Sequence, residues 1–317
     1  EDDGVITMGC AGGIDTVATY TYKPVAAPAG YVFFKVDMSK LQGGHSGSDI
    51  NAGRACATKL IVRLLWDIKQ THDLALAKID AGNLRNAIAY EAHAVFGIKA
   101  EDKEAVSVLF NTFVADVKNE YKLVEPDMEI KIESVDTPAE VIDKESAYAL
   151  INSVYVAPHG VLSMSLDIDD LVETSTNLAS IKMKEGNKVV VTTSQRSAVE
   201  SRKYDAAHRV EQAFKLGGAE VTHTQGYQGW EPNLDNKILK TAVDAWERLY
   251  GVKPVVNAIH AGLECGLFLK VCPHMDMISF GPTLQGVHSP KERCHIPAVQ
   301  KFWDFIVEIL KTVANEK

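Results

Sequence analysis

Few residues in this sequence have types and spacing suited to chemistry, and most fall in short polar stretches. "LQGGHSGSDI", residues 41–50, sets His45 and Ser46 behind a glycine pair, between a strand-like and a helix-like run. A nucleophile elbow requires Gly-x-Ser-x-Gly, and Ser48 stands where its last glycine belongs. A phosphate loop requires a Gly-Lys-Ser/Thr ending, and there is no lysine here. What remains is an imidazole on a turn at a helix N-terminus, which favours an anion or a developing oxyanion, or else a capping turn whose histidine bonds locally. "LVETSTNLAS" and "TTSQRSAVES" place Asn177 and Arg196 on neighbouring strand-like segments. A guanidinium fork and an amide can hold a peptide's C-terminal carboxylate, or they can be ordinary polar residues of a sheet face. "NAIHAGLECGLF" carries His260 and Glu264 at i, i+4, a weak metal signal without HExxH, or a polar cap on a buried turn. "SFGPTLQGVHSPKER" presents His288 on a loop after a buried strand, where α/β domains seat ligands, although a zinc site takes at least three protein ligands.

These residues need a framework, and the composition permits one. The chain has 317 residues, 46% hydrophobic and 24% charged, enough for two domains or one large one. A net charge of −9 without a basic run argues against nucleic acid and anionic membrane surfaces as partners. No apolar run approaches a membrane span, and the start lacks the basic-then-apolar pattern of a signal peptide. Five cysteines, with no CxxC pair, suit a reduced, cytoplasmic protein.

Periodicity predicts the elements. "VITMGCAGGIDTVATYTY" reads as buried strand, and Val32, Phe34, Val36 and Met38 form the inner face of a second strand. Ser48 or Asp49 would cap a helix with the stripe Ala57, Leu60, Ile61, Leu64, Leu65, Ile68. Strands at "DLALAKIDAG" and "NAIAYEAHAVFGI", a helix over 101–121 and a strand at "DMEIKIESVD" complete a β-α-β-β-α-β unit. The order partly recurs: a helix at "AEVIDKESAYALINSVYV", strands at "LVETSTNLASIKMK" and "NKVVVTTSQRS", a helix over 199–216, then "AEVTHTQGY". Beyond Gly229 come an amphipathic helix ending at Gly251, strands at "PVVNAIH" and "MDMISFG", and a closing helix that starts on Pro297. The fold class expected is α/β and α+β. Residues 1–25 would be a remnant of an α/β domain, 26–228 an inserted domain of two related units, and 229–317 the second half of the α/β domain.

In order along nearly the whole chain, "GCAGGIDT", "LQGGHSGSDINAGRA", "GNLRNAI", "LVETSTNLAS", "SQRS", "IHAGLECG" and "SFGPTLQGVHSPKER" resemble the M20 metallopeptidases, in particular their aminoacyl-histidine dipeptidase branch. The resemblance implies a hydrolase of Xaa-His dipeptides with two zinc ions and a partial M20-type catalytic domain interrupted by a lid. His288 would be a zinc ligand, and His45 the lid histidine that stabilises the oxyanion. Asn177 and Arg196 would grip the substrate carboxylate, and Glu264 would line the substrate pocket. The lid would close about hinges near residues 24–28 and 227–232, and a homodimer is compatible with the pattern. The family's HxD ligands, Glu-Glu pair and further ligand Asp have no counterpart here, and Ala89-Tyr90 follow Ile88 where the family tends to carry Pro-Arg. These departures lead to the expectation of an inactive fragment lacking the N-terminal part of the catalytic domain. The competing expectation is a non-enzymatic lid or dimerisation module.

Overall fold

One nine-stranded sheet and four two-stranded ones make up the β-structure of the computed structural model, which describes residues 2–285 and 292–315. In chain order the elements begin with β1 (Val5–Cys10), β2 (Gly12–Thr21), β3 (Pro24–Ala26), β4 (Tyr31–Ser39), β5 (Gly44–His45), α1 (Ala57–Thr71), β6 (Leu74–Gly82), β7 (Ala87–Ile88) and β8 (Ala92–Lys99). Then follow α2 (Lys103–Glu120), β9 (Glu129–Val135), β10 (Glu140–Ile142), α3 (Lys144–Val156), β11 (Gly160–Met164), β12 (Val172–Lys184), β13 (Lys188–Ser197), α4 (Glu200–Leu216) and β14 (Glu220–His223). The last are α5 (Lys237–Tyr250), β15 (Val255–Ile259), α6 (Cys265–Leu269), β16 (Leu284–Gln285), β17 (Arg293–Cys294) and α7 (Ile296–Asn315).

The large sheet is antiparallel, in the order β14-β2-β13-β12-β6-β8-β4-β9, with β11 on β12. Its halves have one topology. β4-α1-β6-β8-α2-β9 gives the spatial order β6-β8-β4-β9, and β2-α3-β12-β13-α4-β14 gives β12-β13-β2-β14. The second unit therefore takes its first strand from residues 12–21, and the whole first unit is inserted between β2 and α3. Sequence periodicity shows the repeat but not this borrowing, because strand partners are chosen by long-range pairing.

The halves join where β6 meets β12, through Ser180↔Gly82, Ile181↔Ala81 and Lys182↔Asp80. Gly82 lies at φ +56°, and a Cβ there would stand 1.9 Å from the Ala179 carbonyl oxygen, so the seam admits only glycine. One hydrophobic core joins the sheet to α1–α4, with the predicted stripe Leu60, Ile61, Leu64, Leu65 and Ile68 buried.

Several expected elements differ. The run 4–22 is two strands parting at Ala11, because β1 pairs with β15 whereas β2 pairs with β13. The hand-over between sheets thus falls ahead of the 25/26 limit. Helix α1 starts at Ala57, because the two expected caps are engaged elsewhere: Asp49 accepts from the His45 main-chain N–H (2.8 Å) and faces Arg54, and Ser48 Oγ bonds His45 Nδ1 (3.0 Å). Helix α3 starts after Asp143, whose side chain accepts from Ser146 N–H, and the residues before it form β10. "MDMISFG" contributes only the isolated bridge Ser279↔Thr7.

The smaller half packs α5 and α7 on β1 and β15 around Ile6, Met8, Leu239, Trp246, Phe305 and Ile309. As expected, α5 ends at Gly251 in the left-handed region. The chain crosses between the halves twice, at residues 10–13 and 227–230. The crossings bond to each other, Cys10 with Trp230 in both directions (2.8 Å each) and Gly13 with Tyr227 (3.0 and 2.8 Å). The second is where a hinge was expected; the first lies upstream of the expected 24–28.

Candidate functional site

The site forms where loop 44–48, β12, β13, the second crossing and the loop after β15 converge. Pairing sets one face: Ser175 lies opposite Arg196 and Asn177 opposite Ser194, so Ser175, Asn177 and Arg196 point the same way. All three are buried. The other face carries Thr176 and Gln195, bonded to one another (3.1 Å), with Gln195 also accepting from Thr16 Oγ1 (2.7 Å).

Arg196 donates from Nη1 to Tyr227 Oη (3.0 Å) and from Nη2 to Ser46 Oγ (3.4 Å), while its Nε is buried without a partner. Tyr227 is wedged between glycines: a Cβ on Gly13 would stand 2.7 Å from its hydroxyl, and one on Gly262 2.8 Å from its ring. Its carbonyl accepts from the buried Lys203 Nζ (2.8 Å), and Lys203 also pairs with Glu200 (2.6 Å). Glu200 in turn accepts from Gly229 N–H (3.2 Å). The first turn of α4 therefore fixes the second crossing, and through Tyr227 the guanidinium.

His260 follows directly on β15, and in the sequence it is half of a weak i, i+4 pair. It lies buried against Ser175, Nε2 to Oγ 2.7 Å, with Nδ1 lacking a partner. Burial pushes its pKa down to about 3, helped by the charge of Arg196 and by His45 and opposed by the Val172 carbonyl. His260 is a neutral polar group here. Glu264 does not share its surroundings: the segment is a bend rather than a helix, and Glu264 is exposed at the head of α6.

His45 sits in β5, paired with Ala87 of β7. Its Nδ1 accepts from the main-chain N–H groups of Gly47 and Ser48 (3.2 Å each), which leaves the hydrogen of the neutral ring on Nε2. Gly47 lets this loop meet the other half of the molecule, since a Cβ there would stand 2.2 Å from the His260 carbonyl oxygen. Asn177 braces the same hairpin by donating from Nδ2 to the carbonyls of Ala87 (2.8 Å) and Arg85 (3.2 Å). Next to it, Leu178 is held by side chains: its N–H donates to His159 Nδ1 (3.0 Å), and its carbonyl accepts from Cys56 Sγ (3.6 Å). Burial pushes the Cys56 thiol up, but His159 and the main-chain N–H groups of Lys59 and Thr58 together outweigh it and bring the value to about 7.

Of the sequence candidates, the structure brings together His45, Asn177 and Arg196, adds His260, Ser175 and Tyr227, and leaves Glu264 at the rim. His288 lies outside the described residues. Among the described residues no group of three or more His, Cys, Asp or Glu side chains can hold a metal ion. Those residues do not by themselves fit a zinc centre.

Comparison with known proteins gives the family and the fold. Residues 75–312 match the family described as Peptidase family M20/M25/M40. The chain is 36% identical over 313 residues to the cytosol non-specific dipeptidase of Escherichia coli K12, covering 99% of this chain and 64% of that protein. It superposes on the crystal structure of aminoacylhistidine dipeptidase from Vibrio alginolyticus with a TM-score of 0.92 and 39% identity, covering 98% of this chain and 64% of that one. The chain belongs to the M20 peptidase family and has that fold. It spans a little under two thirds of the length of these relatives. The expectation of an inactive fragment gains no support from these matches.

Proposed function

We propose that the protein hydrolyses dipeptides bearing a free C-terminal carboxylate, Xaa-His dipeptides among them, as a zinc-dependent member of its family. One observation carries this reading. Four buried side-chain polar atoms among the described residues lack a partner, and three of them, Asn177 Oδ1, Arg196 Nε and His260 Nδ1, lie in this one site. Leaving such an atom unsatisfied costs roughly 1–3 kcal/mol, so a cluster of them marks a place built for a ligand to complete. The guanidinium gives that ligand its sign. Arg196 takes the carboxylate, and His45, with its hydrogen on Nε2, donates to the oxygen that becomes negative as the scissile carbonyl turns tetrahedral. Glu264 lines the rim where the substrate enters.

The printed names of the Escherichia coli and Vibrio relatives, both dipeptidases, support the substrate class, and the former's supports a cytosolic location. The five cysteines are all free, which accords with a reducing compartment. Bound zinc would supply a Lewis acid, and of this chain His288 is the residue proposed to contribute to holding it. The chain's own described groups bind and orient: Arg196 and Tyr227 fix the carboxylate end, and the buried neutral His260 lines the site without adding charge.

The test is hydrolysis of alanyl-histidine and of its C-terminal amide by the complete protein, with and without a chelator. Cleavage of the free acid alone, abolished by the chelator, supports the reading. No cleavage, or equal cleavage of the amide, overturns it.

A further inference from the structure

The satisfied and unsatisfied atoms of Asn177 define what it can bind. Both hydrogens of its amide are committed, to Ala87 O at 2.8 Å and Arg85 O at 3.2 Å. Turning the amide over would set its oxygen against those two carbonyl oxygens, so the orientation follows from the network. What Asn177 offers to a ligand is Oδ1, buried and without a partner. An acceptor oxygen repels a carboxylate. Asn177 therefore cannot share the carboxylate with Arg196, as the pairing of an amide and a guanidinium had led the sequence to suggest.

We propose that Asn177 Oδ1 accepts the N–H of the scissile peptide bond. This rests on the dipeptidase reading, because it places the substrate carboxylate on Arg196. Asn177 lies on the same sheet face as Arg196, two residues along β12 from the residue opposite it. In a dipeptide the N–H nearest the carboxylate is that of the scissile bond, one Cα away, while the α-ammonium lies beyond the scissile carbonyl. In hydrolysis the water oxygen bonds to the carbonyl carbon, the C–N bond breaks, and the nitrogen leaves as an amine with a proton that originates in the water. As that nitrogen gains a proton its N–H becomes a stronger donor, so the contact with Asn177 tightens as the bond breaks. Asn177 acts on the leaving group, and its clamp on Ala87 keeps His45, the cross-strand partner of Ala87, in register with it.

The test uses alanyl-alanine and its ester counterpart alanyl-lactate, in which oxygen replaces the scissile N–H. Asn177→Ala also frees the Ala87 and Arg85 carbonyls, which lowers activity on any substrate, so the informative quantity is the peptide-to-ester ratio of kcat/KM. The variant is expected to lower that ratio roughly tenfold or more, mainly through kcat. Equal losses on both substrates overturn the proposal and mean that an ordered water serves Oδ1. Should the variant fail to fold, the parent protein decides with two tetrahedral phosphorus analogues of the same dipeptide, a phosphonamidate bearing N–H and a phosphonate bearing oxygen. The first is expected to bind roughly tenfold or more tightly, and equal affinities overturn the proposal. Failure of the parent to cleave either substrate or bind either analogue would instead overturn the dipeptidase reading.

Discussion

The two units of the large sheet share a topology and differ in what they bury. In the first, β6 and β8 bury Leu74, Leu76, Ile79, Ala81, Ala92, Ala94, Phe96 and Ile98. In the second, the corresponding β12 and β13 bury Val172, Leu178, Ala179, Ile181, Val189 and Val191, and beside them Thr174, Ser175, Thr176, Asn177, Ser180, Thr193, Ser194, Gln195, Arg196 and Ser197. A strand pair that buries so many polar groups gains less from hydrophobic burial than an all-apolar pair, and its side-chain hydrogen bonds each return only about 0.5–1.5 kcal/mol net. Apolar residues of both units join in one core, and against it the second unit holds its polar groups in place.

The contrast can be broken at several points. The largest effect expected is on acid stability, through His260. The unfolded chain takes up a proton on this histidine near the ordinary pKa, the folded chain only near pH 3. Between those values the unfolded state binds more protons, so stability falls as pH drops from about 6.5 toward 3. The upper limit of the loss is about 5 kcal/mol. Melting curves in this range should flatten in His260→Leu; an unchanged slope would show that other groups govern acid unfolding.

Phe96→Ala, in the first unit, is expected to cost about 3–5 kcal/mol of stability by denaturant titration while leaving kcat and KM of the folded protein near the parent values. His45→Ala should do the reverse, with stability nearly unchanged and kcat lowered by about a hundred- to a thousandfold, or roughly 2.7–4 kcal/mol of barrier. Arg196→Ala should mainly raise KM for free-acid dipeptides, by roughly 1.5–3 kcal/mol, because it removes a grip on a charge already present in the ground state. Equal effects on free-acid and amidated peptides would make that arginine structural.

The smallest effect sharpens the contrast most. Thr58 Oγ1, in α1 of the first unit, is the fourth buried atom without a partner among the described residues, and it lies on a helix rather than on β12, β13 or the loops that form the site. With no ligand to complete it, Thr58→Val should stabilise by up to about 1 kcal/mol, read as a raised Tm, with kinetics unchanged.

Much of this was legible in the sequence, and the losses have physical causes. The stripe of α1, the end of α5 at Gly251 and the alternation of β4 follow from local periodicity, and the structure has them. The borrowing of β2 by the second unit does not, because Gly12 finds Ser197 only in three dimensions. The two-residue strand bearing His45 is equally invisible, being defined by its partner β7. His260 was judged by helical spacing against Glu264, but its segment is not helical. Its role comes from Ser175, which no pattern near residue 260 contains. Asn177 and Arg196 were legible as a pair, and the division of donors and acceptors between them was not.

The nesting of one unit inside the other also governs how the chain can assemble. β2 is made before the inserted unit, and its ladder partner β13 follows only after that unit is complete, more than 160 residues on. Residues 31–135 pair largely among themselves, so they can collapse during synthesis while β2 waits. Closing so long a loop makes the β2–β13 ladder a high-contact-order event, the kind that slows folding. Until it closes, the edge of β2 that will meet β13 stays open to any other strand, which makes this the stretch where misassembly during folding should begin.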